Sequence, residues 1–325
     1  MDRPGPTRSA DPASRPAMLR LLPLLVSLML TGVALLLLSY FVELERIPAQ
    51  LAETEPHWFA IIGGCGILLG LFGLGHKWWM VLRTRAPAIR YRDVLFLRAG
   101  SSPLLSLMPF KTGELVPAMY LQRRYGVPVA RVLGTILFDK ATTVLALLLL
   151  GVVAGLRSDA LPLWVPTLAG LCVLAILIPG VPGAAVRLIR LDRTRLAGPL
   201  HELLACFDSF SLAARVGLVL YGMALQLGVA ALLTLSLYAQ GSQPPWDQAL
   251  FLGPLVILVA NLHLTVAGVG TRDAMILLLF AQWGTPEQLV GAATLFLILE
   301  VILPVVLGAV FLQPLLYRMV AGRRT

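Results

Sequence analysis

The side chains best placed to do chemistry are Thr112, Glu114, Asp139, Lys140, Thr271, Arg272, Asp273 and Glu300. All lie inside or at the edge of long apolar runs, where a charge costs about 2.5–3.5 kcal/mol even on a lenient insertion scale. Each therefore needs a partner or a wet cavity. Lys140 follows Arg131 by about nine residues, which puts it ~13 Å into a ~30 Å apolar layer if the run is helical. Glu300 follows Gln288 by about twelve residues and reaches ~18 Å from the opposite side by the same rise. The two could meet near the midplane. Asp139 and Lys140 are neighbours that point about 100° apart on a helix, so they must face different partners. Two readings stay open: buried ion pairs that hold the spans together, or a polar site with a proton path through Asp139, Asp273 or Glu300.

Two of the apolar runs are broken by polar residues. The first break reads Pro109-Phe-Lys-Thr-Gly-Glu114 and the second Thr265-Val-Ala-Gly-Val-Gly-Thr-Arg-Asp273. Each ends in a Thr, one residue, an acid and then a helical apolar pattern. A helix that starts inside a membrane turns its free N–H groups and positive dipole end toward the interior, where they attract anions. Thr112 and Thr271 would cap such helices, with Glu114 and Asp273 in their first turns. The fork of Arg272 adds a group suited to a phosphate.

Other chemistry has little support. Gly268-Val-Gly270 lacks the third glycine of a dinucleotide fingerprint, and Gly70 to Lys77 departs from a P-loop because Lys does not follow Gly directly and no Ser/Thr comes next. Cys65, Cys172 and Cys206 show no metal-ligand spacing and read as packing residues. Of the scattered His57, His76, His201 and His263, only His263 lies at a break. No metal, cofactor or catalytic motif is expected, and the chain reads as a non-enzyme.

The elements that must position these residues follow from composition. Of 325 residues, 58% are apolar and only 13% charged, with mean hydropathy +0.84. That excludes an ordinary soluble enzyme and predicts an all-α polytopic membrane protein. The net charge of +9 is spread in short clusters between apolar runs, so membrane topology explains it better than nucleic acid. Runs of spanning length lie at 19–42, 57–82, 129–156, 161–179, 213–239 and 289–317. They predict six full spans, with Trp58, Trp78, Trp79, Trp164, Trp246, Trp283, Tyr238 and Tyr317 as interfacial aromatics.

The broken stretches 93–126 and 247–284 begin and end in loops of like charge, so they read as re-entrant helical hairpins. Span, span, hairpin, span then occurs twice with every direction reversed, an inverted-topology repeat. The predicted organisation is a disordered basic leader over 1–17, repeat one over 18–157, repeat two over 158–320 and a tail over 321–325. Residues 194–211 form an amphipathic helix, set along the interface or packed on another helix. Arg residues in the leader, in the loop from Arg83 to Arg98, in the loop from Arg187 to Arg195 and in the tail put both termini in the cytoplasm.

These motifs resemble those of the membrane, flippase-like domain of the lysylphosphatidylglycerol synthase (MprF-like) family. Pro109 to Glu114 resembles its first motif, Asp139-Lys140 its Glu-Arg in the following span, and Gly268-Val-Gly-Thr-Arg-Asp273 its Gly-x-Gly-x-Arg-Glu. An Arg commonly found soon after the first Gly-Glu is missing, and Glu is shortened to Asp twice. The resemblance implies a lipid flippase or scramblase of the cell inner (plasma) membrane, without the cytosolic aminoacyl-transfer domain. A membrane lipid is then the substrate, with Lys140, Arg272, Thr112, Glu114 and Thr271 facing its headgroup. A separate lipid-modifying enzyme and a second copy of the chain are candidate partners. The alternatives are a secondary transporter of a small anion and an integral-membrane transferase acting on a lipid-linked substrate.

Overall fold

The computed structural model describes residues 47–107, 113–158, 197–261 and 269–321, with isolated positions 29, 167, 170–173 and 265 besides. The leader, almost all of the expected spans at 19–42 and 161–179, Thr112, His263 and most of the tail lie outside the described residues. Among the described residues every regular element is a helix and no strand occurs.

In chain order the helices are α1 (Ile47–Ala52), α2 (Pro56–Leu82), α3 (Tyr91–Leu107), α4 (Leu115–Tyr125), α5 (Val129–Ser158), α6 (Ala197–Asp208), α7 (Leu212–Ala239), α8 (Trp246–Asn261), α9 (Thr271–Phe280) and α10, which runs from Pro286 to Ala321. Long apolar stretches sit on α2, α5, α7 and α10: Pro56–Leu82, Val129–Val153, Leu212–Ala239 and Pro286–Met319 can each cross a membrane by length and composition. They coincide with four of the six runs expected to span. The protein is therefore a multi-pass, all-helical membrane protein.

Local chemistry sets the helix ends. Ser211 caps α7 by accepting from the Ala214 N–H. Thr285 and Gln288 form a reciprocal capping box at the start of α10, with Pro286 in the first turn, where its missing N–H costs nothing. The helix α4 stops at Gly126, whose φ of 69° is open to glycine at little cost.

Two of the long helices are interrupted by a wide π-turn. The turn at Ile298–Ile302 in α10 contains Glu300 and lies just before Pro304. Proline has no N–H to give the carbonyl four residues earlier, and its ring crowds that carbonyl. Both effects open the helix at Glu300. The turn at Leu68–Gly73 in α2 has no proline. Its freed carbonyls are taken up by side chains from other helices: Arg98 Nε donates to Gly70 O at 2.6 Å, Tyr91 OH to Phe72 O at 2.8 Å and Tyr221 OH to Gly73 O at 3.5 Å.

The packing is crosswise. The helix α3 lies along the C-terminal part of α10, while α8 lies along α5. Small residues permit the first contact. A Cβ at Gly308 would collide with Ser102 Oγ and the Ala99 carbonyl, and one at Gly100 would come 3.0 Å from the Phe311 carbonyl. In the second, Ile257 and Leu258 join Leu147 and Leu148 in one buried cluster, while Gly253 of α8 lies against Ala230 of α7. The short helices instead lie on the span that follows each of them, α4 on α5 and α9 on α10. A Cβ at Gly113 would run into the Leu104 carbonyl, so the turn between α3 and α4 closes only with glycine there.

Several expectations change. Arg98, counted above with a basic loop, lies inside α3. Trp78 is buried and donates to Thr135 Oγ1 at 3.4 Å instead of marking an interface. The helix expected over 194–211 is described over Ala197–Asp208. It packs on α5 so closely that a Cβ at Gly134 would meet the Leu203 carbonyl. Phe138 of α5 stacks on Phe210 at 4.7 Å and meets Phe207 edge-on.

Candidate functional site

Three ion pairs account for most of the charges inside the helical body. The first joins α2 to α5: Lys77 Nζ lies 2.9 Å from Asp139 Oδ1, with the Lys77 side chain 1% exposed. The same ammonium donates to the Asp139 carbonyl and to the Thr142 and Thr143 hydroxyls, each at 2.9 Å. An ammonium has three N–H donors, so four acceptors more than saturate it. Lys77 and Asp139 form a closed pair.

The second pair is Arg272 with Asp273, at the start of α9. Nε and Nη2 of Arg272 both donate to Asp273 Oδ1, at 3.0 and 2.6 Å, and the guanidinium carbon lies 5.8 Å from the Phe296 ring centre. The other Asp273 oxygen accepts from the Gly270 N–H at 2.9 Å. Gly270, at φ 89°, occupies the N-cap, so Thr271 is the first helical residue and not the expected cap. Its hydroxyl lies 3.2 Å from Thr265 Oγ1. Arg272 and Asp273 are both buried. The fork expected to meet a phosphate is therefore held by its sequence neighbour.

The third pair is open. Lys140 Nζ stands 3.7 Å from Glu114 Oε1, with the two side chains 41% and 20% exposed. Glu114 sits at the N-cap position of α4, where a first-turn place was expected, and makes no capping bond with its side chain. Its carboxylate turns to α5 instead. Asp139 and Lys140 thus have different partners, as their angular separation requires.

Glu300 does not meet Lys140. It lies against Gly66 of α2, so close that a Cβ at Gly66 would overlap Glu300 Oε1. That oxygen is buried without a hydrogen-bond partner among the described residues. Of the glycines of α2, Gly63, Gly66 and Gly73 pack closely against Leu303, Glu300 and Leu225. Gly70 has no close neighbour of this kind among the described residues.

Around the π-turn of α2 stand polar groups that sequence reasoning missed. His76 has Trp79, Tyr91 and Tyr221 at ring distances of 5.5, 5.5 and 5.9 Å, and Tyr221 OH lies 3.4 Å from its Nδ1. Arg98, tethered to Gly70, is within electrostatic range of Asp139 and Glu114. Lys77 meets α5 at Asp139, and Arg98 lies in range of Asp139 and of Glu114, the partner of Lys140. No cluster of three or more metal-ligating side chains occurs among the described residues.

A search of curated proteins finds no match. The family model described as the lysylphosphatidylglycerol synthase TM region matches residues 21–308. That match takes in both broken helices, all three ion pairs and Glu300, and the chain belongs to the lysylphosphatidylglycerol synthase family by its transmembrane region.

Proposed function

We propose that the protein is a transporter and not an enzyme, a flippase or scramblase that moves a polar-headed lipid between leaflets. The observation that carries this reading is the contrast among the ion pairs. Lys77–Asp139 and Arg272–Asp273 are closed, whereas Lys140–Glu114 is long and partly open on helices that the surrounding apolar runs place at membrane depth. An open charged pair in an apolar layer calls for a polar occupant. Membership of the family makes a lipid headgroup the best-supported one, with the acyl tails left in the bilayer.

The architecture that would carry out this transport is an inverted-topology repeat of six spans and two re-entrant hairpins, α3–α4 and α8–α9, with both termini in the cytoplasm of a cell whose inner membrane holds the protein. The crosswise packing supports it: in each half the first hairpin helix lies on the last span of the other half, and the second on the last span of its own. Such repeats place a substrate site between the halves, where broken helices meet. Lys140 and Glu114 would face the headgroup, with Thr112 and Thr271 at the two helix starts. Arg272 and Asp273 hold each other and shape the second break. Glu300, one oxygen of which is buried without a hydrogen-bond partner among the described residues, is the carboxylate best placed for proton coupling.

Reconstitution into liposomes carrying labelled lipids tests the proposal. Faster leaflet exchange than in protein-free vesicles is expected, with a response to a pH gradient if Glu300 couples a proton. Absence of exchange for anionic and zwitterionic phospholipids alike, with flux of a soluble anion, would replace the lipid reading by a small-anion transporter.

A further inference from the structure

We propose that Arg98, with Lys140 as its second arm, holds a singly charged phosphate group. The proposal rests on the transport reading for the source of that ligand, but its geometry stands apart from it. No motif in the sequence pointed to Arg98.

Arg98 enters from α3 and reaches the π-turn of α2, where its Nε is fixed on the Gly70 carbonyl at 2.6 Å. Gly70 precedes Arg83, at the end of that helix, by about thirteen residues, or ~19 Å of helix in a ~30 Å apolar layer. The guanidinium is thus held near mid-depth. Because the group is planar, anchoring Nε also fixes the direction of its two terminal nitrogens. Neither of these donates to a described residue, and Arg98 forms no ion pair among the described residues. Among the described residues nothing lies within 4 Å of where a Cβ at Gly70 would be.

Charge arithmetic says what belongs there. The cations around this part of α5 are Lys77, Arg98 and Lys140, and the carboxylates are Asp139 and Glu114. Lys77 consumes Asp139, and Lys140 holds Glu114 only at 3.7 Å. One positive charge is left over. A phosphodiester headgroup carries one negative charge and two free oxygens, which match an N–H fork and an ammonium. Free phosphate in its monoanionic form offers the same chemistry. At the second break, among the described residues, Arg272 is matched by Asp273.

The test is an equilibrium titration of the full chain in nonionic detergent. Its probes are dihexanoylphosphatidylglycerol, inorganic phosphate at pH 6 and neutral dihexanoylglycerol. Arg98→Gln is expected to weaken binding of the phosphate-bearing lipid by tenfold or more and Arg98→Lys by less. Arg131→Gln, which removes a partly exposed charge from the first turn of α5, should stay within twofold of the parent chain. Arg98-dependent binding of the lipid alone identifies a headgroup as the ligand; equal dependence for inorganic phosphate identifies the free anion. Unchanged lipid binding by Arg98→Gln overturns the proposal. Should that variant lose its melting transition, Arg98→Lys and Lys140→Gln decide, and parent-like binding by both overturns it equally. Intact Arg98-dependent binding without leaflet exchange in vesicles would sink the transport reading and leave this site standing.

Discussion

Lys77 and Asp139, 62 positions apart in sequence, meet at 2.9 Å with the lysine almost wholly enclosed. A charge this deep on α2 is tolerable only because α5 brings a carboxylate, a carbonyl and two hydroxyls to it. The pair is a latch between two spans. Its counterpart in composition, Lys140 with Glu114, is a longer contact between a span and a half-length helix, and the two should respond differently to mutation.

Lys77→Met should lower stability by about 3–5 kcal/mol, because it leaves Asp139 buried and unpaired. Adding Asp139→Asn should recover a large part of the loss, since the stranded charge disappears with it. Melting in detergent of the two single variants and the double variant measures this. Additive losses would mean that the two side chains do not stabilise each other.

Lys140→Met should behave otherwise. The pair is long, at 3.7 Å, and already partly open, so folded yield should stay near that of the parent while leaflet exchange falls at least tenfold. Parent-like exchange from a well-folded Lys140→Met would remove this residue from the site.

Gly66→Ala places a methyl group where Glu300 Oε1 lies. Overpacking of this kind costs typically 1–3 kcal/mol. The cost should shrink sharply in a Glu300→Ala background, where the carboxylate is gone. Equal destabilisation of both backgrounds, read from thermal melts, would show that the glycine is needed for another reason.

Cys206, on α6 and outside the candidate spans, has its thiol pushed up to about 11 by burial, against an ordinary 9.0, with Arg85 and Ser209 pulling weakly the other way. Between those values the folded chain holds the proton that the unfolded chain has released, so this group's contribution to stability falls as pH rises from about 9 toward 11. Below 9 the contribution is constant. Maleimide at pH 7.5 should leave Cys206 unmodified until the protein is denatured, and a Cys206→Ser chain should lose this part of the alkaline decline in melting temperature.

Engineered thiols at Ser9 and Thr325 should resist an impermeant reagent added outside intact cells, and one at Gln243 should react. Labelling at position 243 only after permeabilisation would overturn the proposed orientation and with it the inverted repeat.

Hydropathy and charge made much of this legible in the sequence. The four described spans, the short helices that begin at Leu115 and Thr271, and the acids beside those starts follow from apolar run length and from the residues that interrupt them. What stayed hidden depends on helix-to-helix register. Lys77 looked like the tail of a failed nucleotide motif because nothing local shows that Asp139, Thr142 and Thr143 will face it. Arg98 sits close to Arg90 and Arg92 and was counted with them, although α3 begins at Tyr91 and carries it inward. Arg272 looked free for a ligand because adjacent residues on a helix usually diverge. Here Asp273 turns back to the Gly270 N–H, which brings its other oxygen under the guanidinium. The π-turns have no periodic signature at all, although Pro304 supplies a physical cause for one of them.

The seam between α3 and the end of α10, with Gly100 and Gly308 at its closest approach, also sets an order of assembly. A ribosome finishes Leu107 about two hundred residues before it reaches Ala321. At roughly 5–20 residues per second that interval is on the order of 10–40 s. Throughout it the Gly100 face of α3 has no protein to lie against, so lipid or the insertion machinery must cover it. A nascent chain stalled before Leu303 should therefore be far more open to protease than the finished one, with the newly made first half as the vulnerable part.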